Sequence, residues 1–377
     1  MPSSSSQRVI VVGAGVVGCS LAFHLARARA RVTIYGQSEV CSGMSARSGA
    51  LLRMHYTFAP EADLAWKSLR YFRDWDRIVG GECGFVRTGF ALIVGPDNVD
   101  RLRNNAAMMR NLGIDVEICD GSRLQRIDPF VSLVDVALAA YEPQSGYADP
   151  VATTRSFAAA AERLGADFRP HTPISEIVAT NGRMVVREAS GHTSEVSAVG
   201  VAAGPWTDRL LAPLGAAIGI KAERAQVAFF GRDRTTQHLA YIDCITGSYF
   251  RPHGSGLTLV GMGAWRPEAE PDPDSFRESN DPGFLEETRR RLGHRIPAMH
   301  DAPYVRGHAG VYDVTPDSRP VLGRVPGFSD LYVAAGFSGT GFKTAPAVGA
   351  AMAELILTGR TADLGPFDFE RIRSGRL

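Results

Sequence analysis

Short apolar runs alternate with amphipathic stretches at the start of the chain. Arg8–Val12 is a run of β-branched apolar residues, which is typical of a strand buried on both faces, and Arg31–Tyr35 repeats that pattern. Between the two runs, Leu21, Leu25 and Ala28 recur at helical spacing. The pattern therefore predicts a strand, a helix and a second parallel strand, which together make a βαβ unit.

Similar pieces return in the middle and at the end of the chain. The run at 151–163 has an alanine-rich face that predicts a helix packed on a sheet, and the run at 199–204 predicts a buried strand. Leu331–Ala335 predicts another buried strand, which enters a glycine-rich loop and a helix at 345–357. Segments of alternating strand character lie between these pieces, at 86–94, 226–230, 248–251 and 257–260. They predict an antiparallel sheet with one face in water.

Composition adds limits to this picture. The chain has 377 residues, too many for one hydrophobic core, so we expect two domains. A formal net charge of +1 offers no basic surplus for nucleic acid or an anionic membrane surface. No apolar run approaches the roughly 20 residues that span a bilayer. The five cysteines are scattered and form no C-x-x-C pair, which predicts reduced thiols in a cytoplasmic protein and no metal site.

A glycine motif joins the first strand to the first helix. Gly13, Gly15 and Gly18 have the G-x-G-x-x-G spacing of dinucleotide-binding proteins. In that motif the first glycine makes a tight turn, the second lets the backbone approach a pyrophosphate, and the third lets helix and strand pack closely. The free N–H groups of the helix that begins near Val16 would face the phosphates. The motif predicts a bound dinucleotide but does not separate FAD from NAD.

Two neighbouring segments refine this prediction. Gly36 stands where an acidic residue usually binds the ribose, so we expect Gln37, Ser38 or Glu39 to take over that role. The stretch at 42–50 is rich in small and hydroxyl residues, which let a chain pass close to a large flat ligand. A plain surface loop has the same composition.

The order of the pieces predicts the domain organisation. The predicted fold class is α/β with an α+β insert: a discontinuous Rossmann-like nucleotide-binding domain and an inserted antiparallel-sheet substrate domain, with ligand in the crevice between them. The nucleotide-binding domain is placed at 1–85, 141–215 and 305–377, and the substrate domain at 86–140 and 216–304.

In this order, the segments resemble the D-amino-acid oxidase superfamily of FAD-dependent oxidoreductases, and within it the sarcosine oxidase and glycine oxidase branch. The resemblance runs from about residue 8 to about residue 359. Its most specific pieces are the glycine motif and the segments at 203–206, 315–323 and 335–343. The resemblance implies that the dinucleotide is FAD and that the substrate is an amine, which is oxidised to an imine.

The resemblance also implies which residues contact FAD. They are Gly13, Gly15, Val16, Gly18, Gln37, Ser42, Ser45, Arg47, Ser48, Thr172, Pro173, Ile174, Gly204, Trp206, Gly310, Gly339, Thr340, Gly341, Phe342 and Lys343. Within this set, the residues around Thr172 would face the adenine, and those at 339–343 would meet the pyrimidine edge of the flavin. Sarcosine oxidases attach the flavin through a cysteine at the position of Gly310 or Val311. The lack of a cysteine there predicts non-covalent FAD.

For the substrate carboxylate, the resemblance implies a pair of cations, Arg53 and Lys343. A carboxylate that enters an apolar crevice needs a charged partner, and a guanidinium binds it through two hydrogen bonds. A surface salt bridge is the alternative for Arg53. Tyr249 and Tyr312 are expected to line the pocket, and His55 is a candidate general base. The alternatives are that His55 is a core histidine and that bulk solvent removes the proton.

The chain differs from the sarcosine oxidase and glycine oxidase branch at positions that bear on the reaction with oxygen and on the size of the substrate. Thr258 stands where sarcosine oxidases have an oxygen-activating lysine, so oxygen and another molecule are both open as electron acceptor. Met262 replaces a histidine of the sarcosine site. Together with Phe250 and Trp265, Met262 predicts a more apolar pocket that admits a substrate larger than sarcosine.

The predicted function is the FAD-dependent oxidation of the C–N bond of an amino acid or secondary amine, with an N-substituted glycine that carries an apolar group as the best fit. A hydride would pass from the carbon next to nitrogen to flavin N5. The imine would hydrolyse to an amine and an aldehyde or keto acid, and oxygen would be reduced to hydrogen peroxide. The alternative is a FAD-dependent 2-hydroxy acid or amine dehydrogenase with another acceptor. The predicted partners are small molecules, and the predicted assembly is a monomer or small homo-oligomer.

Overall fold

The computed structural model describes residues 7–180, 183–263 and 271–374. The helices are α1 (Val16–Arg27), α2 (Ala59–Arg73), α3 (Trp75–Ile78), α4 (Val99–Asn111), α5 (Gly121–Ile127), α6 (Pro150–Arg163), α7 (Thr207–Leu211), α8 (Pro282–Arg295), α9 (Gly341–Thr358) and α10 (Glu370–Arg373). The strands are β1 (Arg8–Val12), β2 (Arg31–Tyr35), β3 (Leu51–Leu52), β4 (Phe90–Val94), β5 (Glu117–Cys119), β6 (Leu138–Glu142), β7 (Gly146–Tyr147), β8 (Asp167–Arg169), β9 (Ile174–Thr180), β10 (Arg183–Glu188), β11 (Thr193–Val196), β12 (Ala198–Val201), β13 (Lys221–Gly231), β14 (Ala240–Asp243), β15 (Ser248–His253), β16 (Leu257–Met262), β17 (Tyr304–Val314), β18 (Val321–Arg324) and β19 (Leu331–Ala335).

The first layer is a six-stranded sheet in the order β18-β19-β12-β1-β2-β8. β1 pairs in parallel with β2 and β12, β12 pairs in parallel with β19, and β18 is antiparallel to β19. Val9 and Val11 of β1 pack beneath α1, α6 and α9, while Ile10 and Val12 pack toward β9, β10 and α7. Apolar residues on both faces of β1 are therefore buried, as its sequence predicts.

The second layer is an eight-stranded sheet in the order β17-β13-β16-β15-β14-β4-β6-β5. Its neighbouring strands are antiparallel apart from β14 and β4. α8 covers one face of this sheet. Every residue of β4 is buried, so the prediction of a face in water was wrong for this central strand. The separate parallel and antiparallel sheets confirm the predicted fold class.

β17 joins the antiparallel sheet through β13. The rest of the C-terminal region, from β18 through α9, packs with the parallel sheet. The domain ranges drawn from the sequence stay a prediction.

The described residues also bear on membranes, metals and cysteines. In the described ranges, no helix is both long and apolar enough to cross a membrane. The same part of the chain has no cluster of three or more His, Cys, Asp or Glu side chains arranged to hold a metal ion. All five cysteines are free, and Cys244 is the exposed one among them.

Candidate active site

A cavity of about 680 Å³ is lined by loops of the parallel sheet and by side chains of β13, β15 and β17. It brings together nearly all of the FAD contacts implied by the sequence, namely Gly13, Gly15, Val16, Gln37, Ser42, Ser45, Arg47, Ser48, Thr172, Pro173, Ile174, Gly204, Trp206, Gly310, Gly339, Thr340, Gly341, Phe342 and Lys343. The candidate substrate residues Arg53, Tyr249 and Tyr312 line it as well. Gly18 and His55 are the predicted site residues outside the lining.

The N-terminus of α1 opens into the cavity at the glycine motif. Gly13 has a φ of +117°, which favours glycine, and a Cβ there would lie 2.2 Å from the carbonyl oxygen of Ala202. The backbone N–H of Val16 donates to Oγ of Ser45 at 2.9 Å, so a hydroxyl of the 42–50 segment satisfies one N–H of the first helical turn. The positive end of α1 therefore faces a space that suits a diphosphate.

Gly18 lies behind this turn instead of in the cavity. A Cβ at Gly18 would lie 1.9 Å from the carbonyl oxygen of Gly13 and 3.4 Å from the side chain of Val11. The third glycine thus has the packing role that the motif predicts, and it supports Gly13 without lining the cavity itself.

The segment after β2 explains why an acidic residue is missing at its usual place. A Cβ at Gly36 would lie 2.8 Å from the carbonyl oxygen of Ser38, so a larger residue does not fit without a shift of the backbone. Gln37, Ser38 and Glu39 all line the cavity. Glu39 is the carboxylate nearest in sequence to the expected ribose site, and its Oε1 lies 2.9 Å from Nε2 of His171.

A loop with left-handed residues leads into α9. Gly336, Ser338 and Gly339 have φ values of +72°, +51° and +87°. Oδ2 of Asp313 accepts the N–H of Gly336 at 2.8 Å, and the backbone oxygen of Asp313 accepts the N–H of Ser338 at 3.1 Å. Asp313 also lines the cavity, and burial raises its pKa to about 6. The sequence analysis missed Asp313, because a single aspartate near the end of a strand forms no pattern.

Two basic side chains, Arg53 and Lys343, line the cavity near the same aromatic ring. Cζ of Arg53 lies 4.5 Å from the centre of the Tyr56 ring, and Nζ of Lys343 lies 5.9 Å from the same point. The guanidinium of Arg53 also donates to the carbonyl oxygen of His55. Within the part of the chain that the structure describes, neither of these basic side chains forms a salt bridge with a carboxylate. The pair is therefore able to receive an anionic group from outside.

Lys343 is 8% exposed. Burial lowers its pKa well below the usual value, and the charge of Arg53 lowers it further. Glu61 of α2 acts in the opposite direction. Burial raises the pKa of Glu61 itself, and Arg319 is the cation that attracts its charge most strongly.

Tyr249 and Tyr312 form a pair of phenols in the cavity wall. The two phenols lie close enough to affect each other's pKa, and both line the cavity, where Tyr312 is 37% exposed. The ring of Tyr249 lies over its cross-strand neighbour Gly261, where a Cβ would be 2.2 Å from Cζ of the ring. Burial raises the pKa of both tyrosines, so neither phenol is a base at neutral pH.

His55 belongs to the protein interior. It is 5% exposed, and its Nε2 lies 3.4 Å from Nδ2 of Asn105. Burial lowers the pKa of His55 to about 3, with a smaller contribution from Arg53. Since His55 does not line the cavity, the structure favours the core histidine that the sequence left open over a general base.

The strand register corrects the predicted apolar pocket. Tyr249 faces the cavity, so the next residue, Phe250, points to the opposite face of the sheet, and Met262 shares that face. Phe250 and Met262 pack in a core with Phe284 of α8. The prediction that they line the substrate pocket was wrong, and Trp265 lies outside the described residues.

Thr258 is also turned away from the cavity. It is fully buried, and its hydroxyl lies 2.8 Å from Nε2 of His238. The residues of β13 and β14 that do line the cavity, Ala225, Val227 and Ile242, are aliphatic and were missed because alternation alone does not show which face meets a ligand.

Small residues leave the cavity open enough for a flat ring system. No heavy atom lies within 4 Å of a Cβ built at Gly204, which lines the cavity. A Cβ at Gly310 would lie 3.2 Å from Cβ of Arg47. With the helix end at the glycine motif, this glycine-lined space fits FAD.

Comparison with known proteins agrees with that fit. The family described as "FAD dependent oxidoreductase" (DAO) matches residues 8–355. Glycine oxidase from Geobacillus kaustophilus is 25% identical over 96% of this chain and 96% of its own length. Monomeric sarcosine oxidase from Bacillus sp. is also 25% identical, with the same coverage of both chains, 96%. The crystal structure of L-proline dehydrogenase from P. horikoshii superposes with a TM-score of 0.90, at 26% identity and 98% coverage of both chains.

The chain belongs to the DAO family of FAD-dependent oxidoreductases. It is an FAD-dependent enzyme that acts on amino acids or amines, similar to glycine oxidase and monomeric sarcosine oxidase. The predicted family, cofactor and class of enzyme are thereby confirmed.

Proposed function

We propose that this enzyme oxidises the C–N bond of a small amino acid whose nitrogen carries an apolar substituent, with N-substituted glycines as the preferred class. The observation that carries the proposal is the pair of basic side chains, Arg53 and Lys343, in a cavity whose lining also includes aromatic and aliphatic groups. The apolar groups include Leu51, Val227, Ile242, Tyr249 and Tyr312. A carboxylate suits the basic side chains, and an apolar substituent suits the apolar part of the cavity wall.

The contribution of the protein is binding and orientation. Arg53 and Lys343 would hold the carboxylate and thereby fix the carbon next to nitrogen in one position. The apolar wall would exclude water from that carbon. When bound, FAD supplies the two-electron oxidation.

We infer that FAD is bound without a covalent link to the protein. All five cysteines lie outside the lining of the cavity, and Gly310 or Val311 stands where a covalent link is expected from the resemblance. Acid precipitation of the purified protein should therefore leave the yellow colour in the supernatant. A yellow pellet would contradict this inference.

A second candidate is a dehydrogenase that passes electrons to an acceptor other than oxygen. Thr258, which the resemblance puts at the position of the oxygen-activating lysine, is buried on the face of the sheet away from the cavity. The structural similarity to a protein named L-proline dehydrogenase supports the same candidate. The substrate class is unaffected by this choice.

A panel of substrates tests both points. We expect N-benzylglycine and L-proline to give kcat/KM values at least roughly tenfold above glycine, because burial of added apolar area contributes to binding. We expect no turnover of L-lactate, which lacks the C–N bond. Parallel assays of peroxide release and dye reduction decide the acceptor. Turnover of L-lactate without turnover of any amine would replace the proposal by a 2-hydroxy acid dehydrogenase.

A further inference from the structure

Lys343 is a buried amine without a dedicated counterion. It is the third residue of α9, lines the cavity and is 8% exposed. Among the described residues it forms no salt bridge, and the first turn of α9 contains no acidic residue. A buried ammonium in this position lacks the partner that buried charges normally have.

Several neighbours decide the charge of this amine. The guanidinium of Arg53 and Nζ of Lys343 lie 4.5 Å and 5.9 Å from the centre of the same Tyr56 ring, and Lys343 belongs to the first turn of α9, at the positive end of that helix. Both disfavour an ammonium, as does burial. The ring of Tyr56 and the carboxyl of Glu61 favour the ammonium.

The attraction of Glu61 does not offset the effects of burial, Arg53 and the helix end on the charge of Lys343. Its carboxyl is itself buried, which favours the protonated and uncharged form. Its strongest attraction is to Arg319, and Lys343 ranks behind both Arg319 and Arg53. The sum of these influences lowers the pKa of Lys343 well below the usual value.

We propose that Lys343 is a neutral amine in the resting enzyme and accepts the proton that the substrate ammonium must lose before oxidation. An N–H bond of the substrate breaks, its electron pair stays on the substrate nitrogen, and a new N–H bond forms on Nζ of Lys343. The charge inside the cavity does not change in this step. This role rests on the proposed function, since it requires an amino acid as substrate.

The substrate carboxylate makes the transfer favourable. A carboxylate held by Arg53 offsets the positive charge beside Lys343 and raises the proton affinity of its amine. Lys343 therefore becomes a stronger base when an amino acid has bound. After the product carboxylate leaves, the proton affinity falls again and Lys343 releases the proton to solvent. Arg53 would bind the carboxylate, and Lys343 would both hold the carboxylate and receive the proton.

The small number of lysines allows a direct test. The chain has three lysines, Lys67, Lys221 and Lys343. The FAD-loaded protein, labelled with [13Cε]lysine, would be titrated by NMR, with resonances assigned from Lys67→Arg and Lys221→Arg variants. At pH 8 we expect the Lys343 resonance at the neutral-amine position and the Lys67 resonance at the ammonium position, because the salt bridges of Lys67 to Asp63 and Asp363 favour its charged form. Coincident titration of the two resonances would overturn the proposal.

A second arm tests the coupling to the carboxylate. Tetrahydro-2-furoate is a carboxylate whose ring oxygen carries no proton to donate. Its addition at pH 8 should move the Lys343 resonance to the ammonium position, with one proton taken up from solvent. An unmoved Lys343 resonance would overturn the coupling. These measurements do not depend on turnover, so a failure of the proposed substrate class, seen as no oxidation of any amino acid, is a separate result.

A Lys343→Arg variant gives a kinetic readout. Arginine keeps a positive charge for the carboxylate but does not accept a proton at neutral pH. With the substrate that the panel identifies, we expect kcat/KM at pH 7 to fall at least about tenfold and to recover as pH approaches the pKa of the substrate amine. A wild-type pH profile in this variant, with FAD bound, would show that solvent removes the proton and would contradict the proposal.

Discussion

Arg53 is oriented before any substrate binds. Its guanidinium lies 4.5 Å from the centre of the Tyr56 ring and donates to the carbonyl oxygen of His55. A cation that is already fixed in place loses less side-chain entropy when it binds a carboxylate. The same contacts keep the guanidinium in the cavity, although the loop that carries it has no regular secondary structure beyond β3.

Replacement of Arg53 should weaken substrate binding and leave FAD in place. We expect Arg53→Ala to lower kcat/KM roughly thirtyfold, mainly through a higher KM. This factor corresponds to a loss of about 2 kcal/mol in binding free energy, because a hydrogen bond to a charged group is lost. Steady-state kinetics and the visible spectrum measure the two effects. Arg77→Ala is the matched control, because Arg77 is exposed and pairs with Asp74 on the surface. An unchanged KM in Arg53→Ala would remove Arg53 from the site.

Single residues were predictable from the sequence where chemistry and context coincided. Arg53 and Lys343 are cations in apolar segments close to glycine-rich loops, and both line the cavity. His55 has equally suggestive chemistry, but it is buried beside Asn105. Asp313 was missed, since its role depends on the loop that folds back onto it. Side-chain type identifies candidates, and only the packing decides among them.

At the scale of elements, the turn between β1 and α1 depends on contact between two glycines. A Cβ at Gly18 would lie 1.9 Å from the carbonyl oxygen of Gly13. The close approach of α1 to the end of β1 therefore requires that no side chain stands between them. Gly13 in turn lines the cavity. A change at Gly18 should therefore reach the FAD site through the backbone.

We expect Gly18→Ala to lower stability by about 1–3 kcal/mol and to weaken FAD binding, because the added methyl group displaces the turn at Gly13. Thermal unfolding and fluorescence titration with FAD measure these effects. Gly365→Ala serves as control, because no heavy atom lies within 4 Å of a Cβ at that position. Wild-type affinity for FAD in Gly18→Ala would contradict the proposed packing role.

The pairing of β15 and β16 allows a test that spares FAD. A Cβ at Gly261 would lie 2.2 Å from the Tyr249 ring, so Gly261→Ala should displace that ring from its place in the cavity wall. We expect a changed KM for substrate with FAD binding preserved, measured by kinetics and flavin fluorescence. The control is Gly256→Ala, where the nearest atom to a Cβ, the carbonyl oxygen of Arg232, lies at 4.0 Å. Equal effects of the two substitutions on KM would exclude Tyr249 from the substrate site.

Elements were predictable where burial alone determines them. β1, β2 and β19 have the bounds that their apolar runs predict, because parallel strands buried on both faces are continuous in hydrophobicity. The helix predicted at 345–357 begins earlier, at Gly341, because the glycine loop already continues into the first turn. The face of β15 and β16 was not predictable. A period of two separates the faces of a strand but does not say which one meets a ligand.

At the scale of the whole molecule, the cavity exists only when distant parts of the chain have come together. Its lining includes Gly13 near the start, Gly204 in the middle and Lys343 near the end, together with Tyr249 of the antiparallel sheet. This arrangement was predictable from the sequence, because the order of the glycine loops and strands along the chain resembles that of a known family. The substrate and the electron acceptor were not predictable, because they depend on side chains whose positions are set by the packing of the two sheets.

The most direct test of the account is an anaerobic visible spectrum of the FAD-loaded protein during titration with N-benzylglycine and L-proline. The account predicts a flavin spectrum that is bleached by at least one of these amino acids, and a slower or absent response in Arg53→Ala. Admission of air would then show whether oxygen restores the oxidised spectrum. A flavin spectrum that no amino acid or amine bleaches would contradict the central claim.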